Sequence, residues 1–159
     1  MVLTDILPCE RVGVSRGAQR PVAKDGALRA VARLLAEGHA RAGEVEIHRV
    51  LAAREALQST GIGDGVAIPH GSLEGLDHQV AALLVCPDGV PFDALDGGPV
   101  RIVFAVVGPK RATGEHLKTL ARVSRLLRDA SLRERLLEAR EGVEAYGIVH
   151  EAEHGRPAG

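Results

Sequence analysis

Aromatic side chains are nearly absent from this 159-residue chain: Phe92, Phe104 and Tyr146 are the full set, and there is no tryptophan. Such a chain has little material for base-stacking platforms, and its formal charge of −1 lacks the positive excess of a general nucleic-acid binder. Direct binding to nucleic acid is therefore not expected, and the core must be built from aliphatic residues. Cysteine is scarce too. Cys9 and Cys86 show no CxxC spacing and cannot supply a zinc cluster; a disulfide between the two is left open, nothing suggests a small disulfide-stapled scaffold, and a reducing compartment is the simpler expectation. The longest apolar runs, VAALLV and IVFAVV, fall far short of the roughly 20 residues of a membrane-spanning helix. The acidic start MVLTDILPCE has no signal-peptide pattern, so a cytoplasmic protein without membrane insertion is expected. No tandem repeat, low-complexity stretch or long linker divides the chain.

What remains is an ordinary globular composition, 45% hydrophobic and 26% charged, in a chain long enough for one well-buried domain. RVGVS predicts a short strand. GALRAVARLLAE, residues 26–37, spaces Leu28, Val31, Ala32, Leu34 and Leu35 as a helix, with Asp25 as its cap and Gly38 as its stop. EVEIHRVLAAREAL predicts a second helix from about Val45 to Leu57, ending before the turn-rich STGIGDG. VAIPH reads as a short strand ended by Pro69. QVAALLVCP and PVRIVFAVVGP are apolar almost throughout, the pattern of interior strands covered on both faces. Thr113 is the expected cap of a helix whose line runs Leu117, Leu120, Ala121, Ser124 and Leu127, with Val123 on the neighbouring edge. SLRERLLEA and GVEAYGIVHEA complete the helices. The expected fold is a single-domain α/β sandwich over residues 1–152, with a flexible tail over 153–159; strand order is left open.

Chemistry concentrates in REALQSTGIGDGVAIPHG, from Arg54 to Gly71, which gathers a guanidinium, two hydroxyls, several glycines and a histidine. A plain structural account makes Arg54 a solvated helix charge, the glycines turn formers and His70 a surface residue. A chemical account makes neutral His70 a nucleophile, presented by Pro69, and Arg54 a fork of donors for phosphoryl oxygens. In it Gly65 and Gly71 admit the close approach of a partner backbone. Paired carboxylates and a metal set are not evident, which favours reversible transfer over hydrolysis. GIGDG matches neither the GxxxxGK[ST] phosphate loop nor GxGxxG in its full context, so no cofactor is expected. A second candidate, His116, begins a helix and borders its inward stripe through Leu120 and Val123. It reads either as a core-edge histidine or as an orienting partner for His70.

Taken together, REALxSTGIGxGVAIPHG, PFDALDGGPVRIVFAVVGP and EHLKTLARVSRLLRD resemble, in order and over nearly the whole chain, the fructose/mannitol type of phosphotransferase-system enzyme IIA, including its nitrogen-regulatory branch. The resemblance implies a mixed central sheet with helices on both faces. It also implies a phosphoryl carrier: His70 accepts a phosphoryl group at Nε2 from the carrier protein HPr or its paralogue and passes it to a IIB component or another acceptor. Arg54 and His116 match the family's active-site arginine and second histidine, and Ser59 and Thr60 either bind phosphoryl oxygens or shape the loop. Gln58 departs from the glycine often found before STGIG, and could crowd the approach. The alternative within the same family is a regulatory binding protein whose affinity for a target protein changes with phosphorylation of His70. A poorer third reading is a metal enzyme using His70, His116 and His78, with Asp64 otherwise only a turn residue; no metal site is expected.

Overall fold

A computed structural model describes residues 2–38 and 43–155. Its centre is a hairpin of two long antiparallel strands, β5 (Val80–Val90) and β6 (Val100–Pro109). Their near-continuous apolar sequence follows from burial on both faces. Ala82, Leu84, Val103 and Ala105 face one core, whereas Ala81, Leu83, Val85, Ile102, Phe104 and Val106 face the other. Parallel strand β1 (Val12–Val14) flanks β5. Along the free edge of β6 run two parallel pieces, β3 (Val66–Ala67) and β4 (His70–Leu73), and β2 (Gly61–Gly63) closes that side antiparallel to β3. The sheet is therefore mixed, in the order β1-β5-β6-β3-β2 with β4 also on β6.

Helices α1 (Lys24–Ala36) and α2 (Glu44–Leu57) cover one face. The other is covered by α3 (Thr113–Leu127), α4 (Ala130–Glu138) and α5 (Gly142–His154), with the N-terminal Leu3, Ile6 and Leu7 packed among them. The expected α/β sandwich with helices on both faces is what the chain forms, and an aliphatic interior does the packing. Gly38 follows the end of α1 with φ of 71°, the left-handed conformation of a helix stop.

Several local expectations are corrected. Ala23, not Asp25, stands at the start of α1, and the Asp25 carboxylate instead accepts hydrogen bonds from Arg29 (2.7 Å) and His48 (2.8 Å). Those bonds hold its carboxyl below the usual range, the Arg29 bond contributing most. Thr113 is inside α3 and Ala112 precedes it, so no side chain caps that helix. The buried line of α3 is Thr119, Val123 and Leu127, rotated from the expected stripe, and Leu117 is 61% exposed. By contrast Asp129 does cap α4, accepting from Ser131 N at 2.9 Å. Residues 153 and 154, expected in the tail, belong to α5, where Glu153 accepts the backbone N–H of Thr4 at 2.8 Å. The last four tail residues, 156–159, lie outside the described residues.

Candidate active site

The segment VAIPHGSL runs along β6 as one strand broken at Ile68–Pro69. Proline has no N–H to donate, yet its carbonyl accepts from Val106 N (3.0 Å), and pairing resumes with His70 opposite Val106. Pro69 thus interrupts the strand without ending it. His70 sits on the first residue of β4, anchored to the central hairpin. Its Nδ1 lies 2.8 Å from the carbonyl oxygen of Ile68. A carbonyl only accepts, so Nδ1 carries the proton and Nε2 keeps its lone pair. Burial holds His70 below the ordinary imidazole pKa; the Ile68 bond opposes this, Arg54 adds to it, and Glu55 acts against it. A half-buried neutral imidazole with one free ring nitrogen is a nucleophile near neutral pH.

Arg54 reaches this strand because α2 packs directly on β4. At Gly71 a Cβ atom would collide with Val50 Cγ1 of α2, so the bare backbone sets the closeness of helix and strand. The approach enabled by Gly71 is thus within the chain. Gly65, with φ of 76°, likewise serves an internal turn, its carbonyl accepting from Arg101 N and Ile102 N. Arg54 lies in the last turn of α2 and donates through Nη1 to the Gln58 carbonyl at 2.9 Å. Its other guanidinium donors have no protein partner among the described residues.

His116 stands on the opposite side, near the start of α3. Its ring centroid is 5.7 Å from that of His70, with the planes at 52°. Burial, and secondarily the neighbouring His70, lowers its pKa. Arg54, Gln58, Ser59, Thr60, Ile62, Ile68, His70, Leu120 and Ser124 line an open hollow of about 280 Å³. A larger hollow of about 610 Å³ between Arg16, Arg20 and Asp88 contains no imidazole or thiol.

The two hydroxyls are already committed inside the protein. Ser59 Oγ donates to Phe92 O (2.8 Å) and accepts from Gly61 N (3.1 Å). Thr60 donates through Oγ1 (2.5 Å) and through its backbone N–H (3.0 Å) to the carboxylate of Glu55, which is 5% exposed. Lys24 completes the arrangement, 3.2 Å from Glu55 and 3.1 Å from Asp93. Glu55 was not singled out from the sequence. Its signal was present in the spacing, because Ile47, Leu51 and Glu55 fall four apart on the buried face of α2. Through Thr60 it also supports the site: Thr60 O accepts from Ile68 N (3.0 Å), and Ile68 O accepts the hydrogen bond from His70 Nδ1–H.

The remaining candidates stay apart from this chemistry. Asp64 occupies a turn with φ of 57°. Among the described residues no three His, Cys, Asp or Glu side chains gather as a metal site, and no helix is long and apolar enough to cross a membrane. Cys9 and Cys86 are both free thiols, and burial pushes Cys86 up to about 11.

The site thus sets a strand-borne histidine with a free Nε2 beside an arginine and a second histidine in a mixed α/β sandwich. The chain belongs to the family described as phosphoenolpyruvate-dependent sugar phosphotransferase system, EIIA 2, which matches residues 14–152. It is 38% identical over 145 residues to a nitrogen regulatory protein of Pseudomonas aeruginosa, covering 91% of each chain. It is 30% identical to a fructose-specific EIIA component of Haloferax volcanii, covering 86% of this chain and 87% of that one. The solved nitrogen regulatory protein IIA-Ntr from Neisseria meningitidis superposes with a TM-score of 0.80 at 34% identity, covering 91% of this chain and 97% of the other. The mannitol IIA of Escherichia coli, at 24% identity and a TM-score of 0.69, shares the fold, with 86% and 94% of the chains covered.

Proposed function

We propose that this EIIA protein carries a phosphoryl group on Nε2 of His70. The observation that carries the reading is the Nδ1–H bond to Ile68 O, which leaves Nε2 as the ring's nucleophilic nitrogen. In the forward step the Nε2 lone pair attacks the phosphorus of a donor phosphohistidine in line. The new N–P bond forms as the donor's N–P bond breaks, and the donor imidazole leaves with the electron pair. Onward transfer is the same exchange, with a nucleophile of the next protein attacking the phosphorus on His70. Arg54 and His116 bind the equatorial oxygens, where their donors stabilise charge that develops as the group passes. Ser59 and Thr60 shape the loop that lines the hollow.

An HPr-like phosphocarrier is the proposed donor and the cytoplasm the proposed compartment. The mannitol relative is known in a complex with phosphorylated IIB, which supports a IIB-type acceptor here. The similarity to nitrogen regulatory proteins supports a second output, in which phosphorylation of His70 changes affinity for a target protein. Incubation with phosphorylated HPr or its nitrogen-type paralogue tests the chemistry: one acid-labile phosphoryl group should map to His70. Undiminished labelling of His70→Ala would refute the assignment.

A further inference from the structure

Two buried side-chain atoms have no hydrogen-bond partner in the described structure, Gln79 Oε1 and His116 Nδ1. They share one location. A Cβ built on Gly108 of β6 would lie 3.1 Å from Gln79 Cγ and 3.4 Å from His116 Nδ1, so both side chains rest on the same patch of bare backbone. Gln79, immediately before β5, is only 1% exposed. Its Nε2 donates to Glu115 Oε1 at 3.1 Å. A carboxylate accepts only from the amide's nitrogen end, so this bond fixes which way the carboxamide points and leaves Oε1 as a buried acceptor without a partner. Buried polar atoms left unpaired are costly, and these two belong to side chains resting on the same glycine of β6.

We propose that Gln79 is a positioning residue for His116: during transfer its Oε1 accepts the Nδ1–H of a protonated His116, turning the Nε2–H toward the phosphoryl oxygens on His70. The inference rests on the proposed role of His116 at the phosphoryl group. A neutral imidazole has one N–H and satisfies one side at a time. With a phosphoryl dianion on His70, His116 takes a second proton from solvent and donates from both nitrogens, one to the anion and one to Gln79. That proton returns to solvent when the phosphoryl group leaves. His70 on β4 acts on His116 and Glu115 on α3 accepts from Gln79, while Arg54 and Glu55 of α2 act on His70. Among the described residues, Gln79 Oε1 is the buried side-chain acceptor without a partner.

The test uses the full chain labelled with ¹⁵N-histidine and a phosphorylated HPr-like donor. Wild-type protein phosphorylated on His70 should show a slowly exchanging His116 Nδ1–H resonance. Gln79→Met, which keeps the length and removes the acceptor, should lose that resonance and accept the phosphoryl group about tenfold or more slowly. A purely structural Gln79 would lower the melting temperature of the Met variant and leave the resonance in place. If Gln79→Met fails to fold, Gln79→Asn, which withdraws the oxygen by one methylene, carries the same comparison. A His70 that takes no phosphoryl group in wild type defeats the proposed function, and this inference with it. A phosphorylated wild type without the protected Nδ1–H, or a folded Gln79→Met with wild-type rate, overturns the role of Gln79 alone.

Discussion

Removing the Glu55 carboxylate should damage stability and transfer together. In Glu55→Ala the Thr60 N–H and Oγ–H both lose an ionised acceptor at a site that is 5% exposed, the bonds being 3.0 and 2.5 Å long. Hydrogen bonds to charged groups contribute about 1.5–3 kcal/mol each, and Lys24 retains Asp93 as a partner, so its share is left out. Two such bonds give a loss of about 3–6 kcal/mol, which overlaps the roughly 3–5 kcal/mol found when a buried ion pair loses one member. At about 2–4 °C per kcal/mol for a chain of this length, that lowers the melting temperature by roughly 6–24 °C. The same change frees Thr60, whose carbonyl holds Ile68 N–H and thereby the carbonyl that fixes the His70 tautomer. Thermal unfolding followed by circular dichroism measures the first effect. Rapid-quench phosphorylation, run well below the variant's melting point, measures the second. Melting within about 2 °C of wild type would show that the buried carboxylate is not a structural anchor, and an unchanged transfer rate would break the proposed chain from Glu55 to His70.

Three further outcomes are expected. Gly71→Ala should cost about 1–3 kcal/mol through collision with Val50, and Val50→Ala in the same chain should recover most of that loss; simple addition of the two single costs in the melting curves would refute the packing account. Arg54→Lys keeps the charge and loses the planar fork, so transfer to His70 should slow by about tenfold or more with melting unchanged, and equal rates in quench experiments would remove the guanidinium from the mechanism. Because burial lowers the pKa of both His70 and His116 from 6.5, the unfolded chain takes up protons first as pH falls. Stability should then decline below about pH 6.5 toward the lowered folded values, and a His70→Ala/His116→Ala chain should lose that slope in melting curves taken against pH.

The parts of this molecule that the sequence made legible are those governed by local pattern. The β5–β6 hairpin is readable because both faces of those strands are buried, which removes the polar alternation of a half-exposed strand. His70, Arg54 and His116 stand out through chemistry and motif order; in the folded chain Arg54 and His70 line one hollow, and the His116 ring lies 5.7 Å from that of His70. Other features depend on long-range contacts. The inward face of α3 is decided by what lies beneath it, so Thr119 is buried with its hydroxyl turned back to Glu115 O (3.1 Å), while Leu117 is left in solvent. Asp25 has the right residue type for a cap, but Arg29 and His48 compete for its carboxylate. Short β2 exists only because β3 offers it a partner, and GIG has no strand signal of its own. Gln79 reads as the polar start of an apolar strand; only the fold brings it to Gly108 and His116.

The central claim is that Nε2 of His70 carries the phosphoryl group. NMR of ¹⁵N-histidine-labelled protein, phosphorylated by an HPr-like donor, tests it most directly by identifying the ring nitrogen bonded to phosphorus. The account predicts phosphorus coupling to Nε2 of His70, with Nδ1 still protonated and bonded to Ile68 O. Phosphorus on Nδ1 of His70, or on His116, would contradict it.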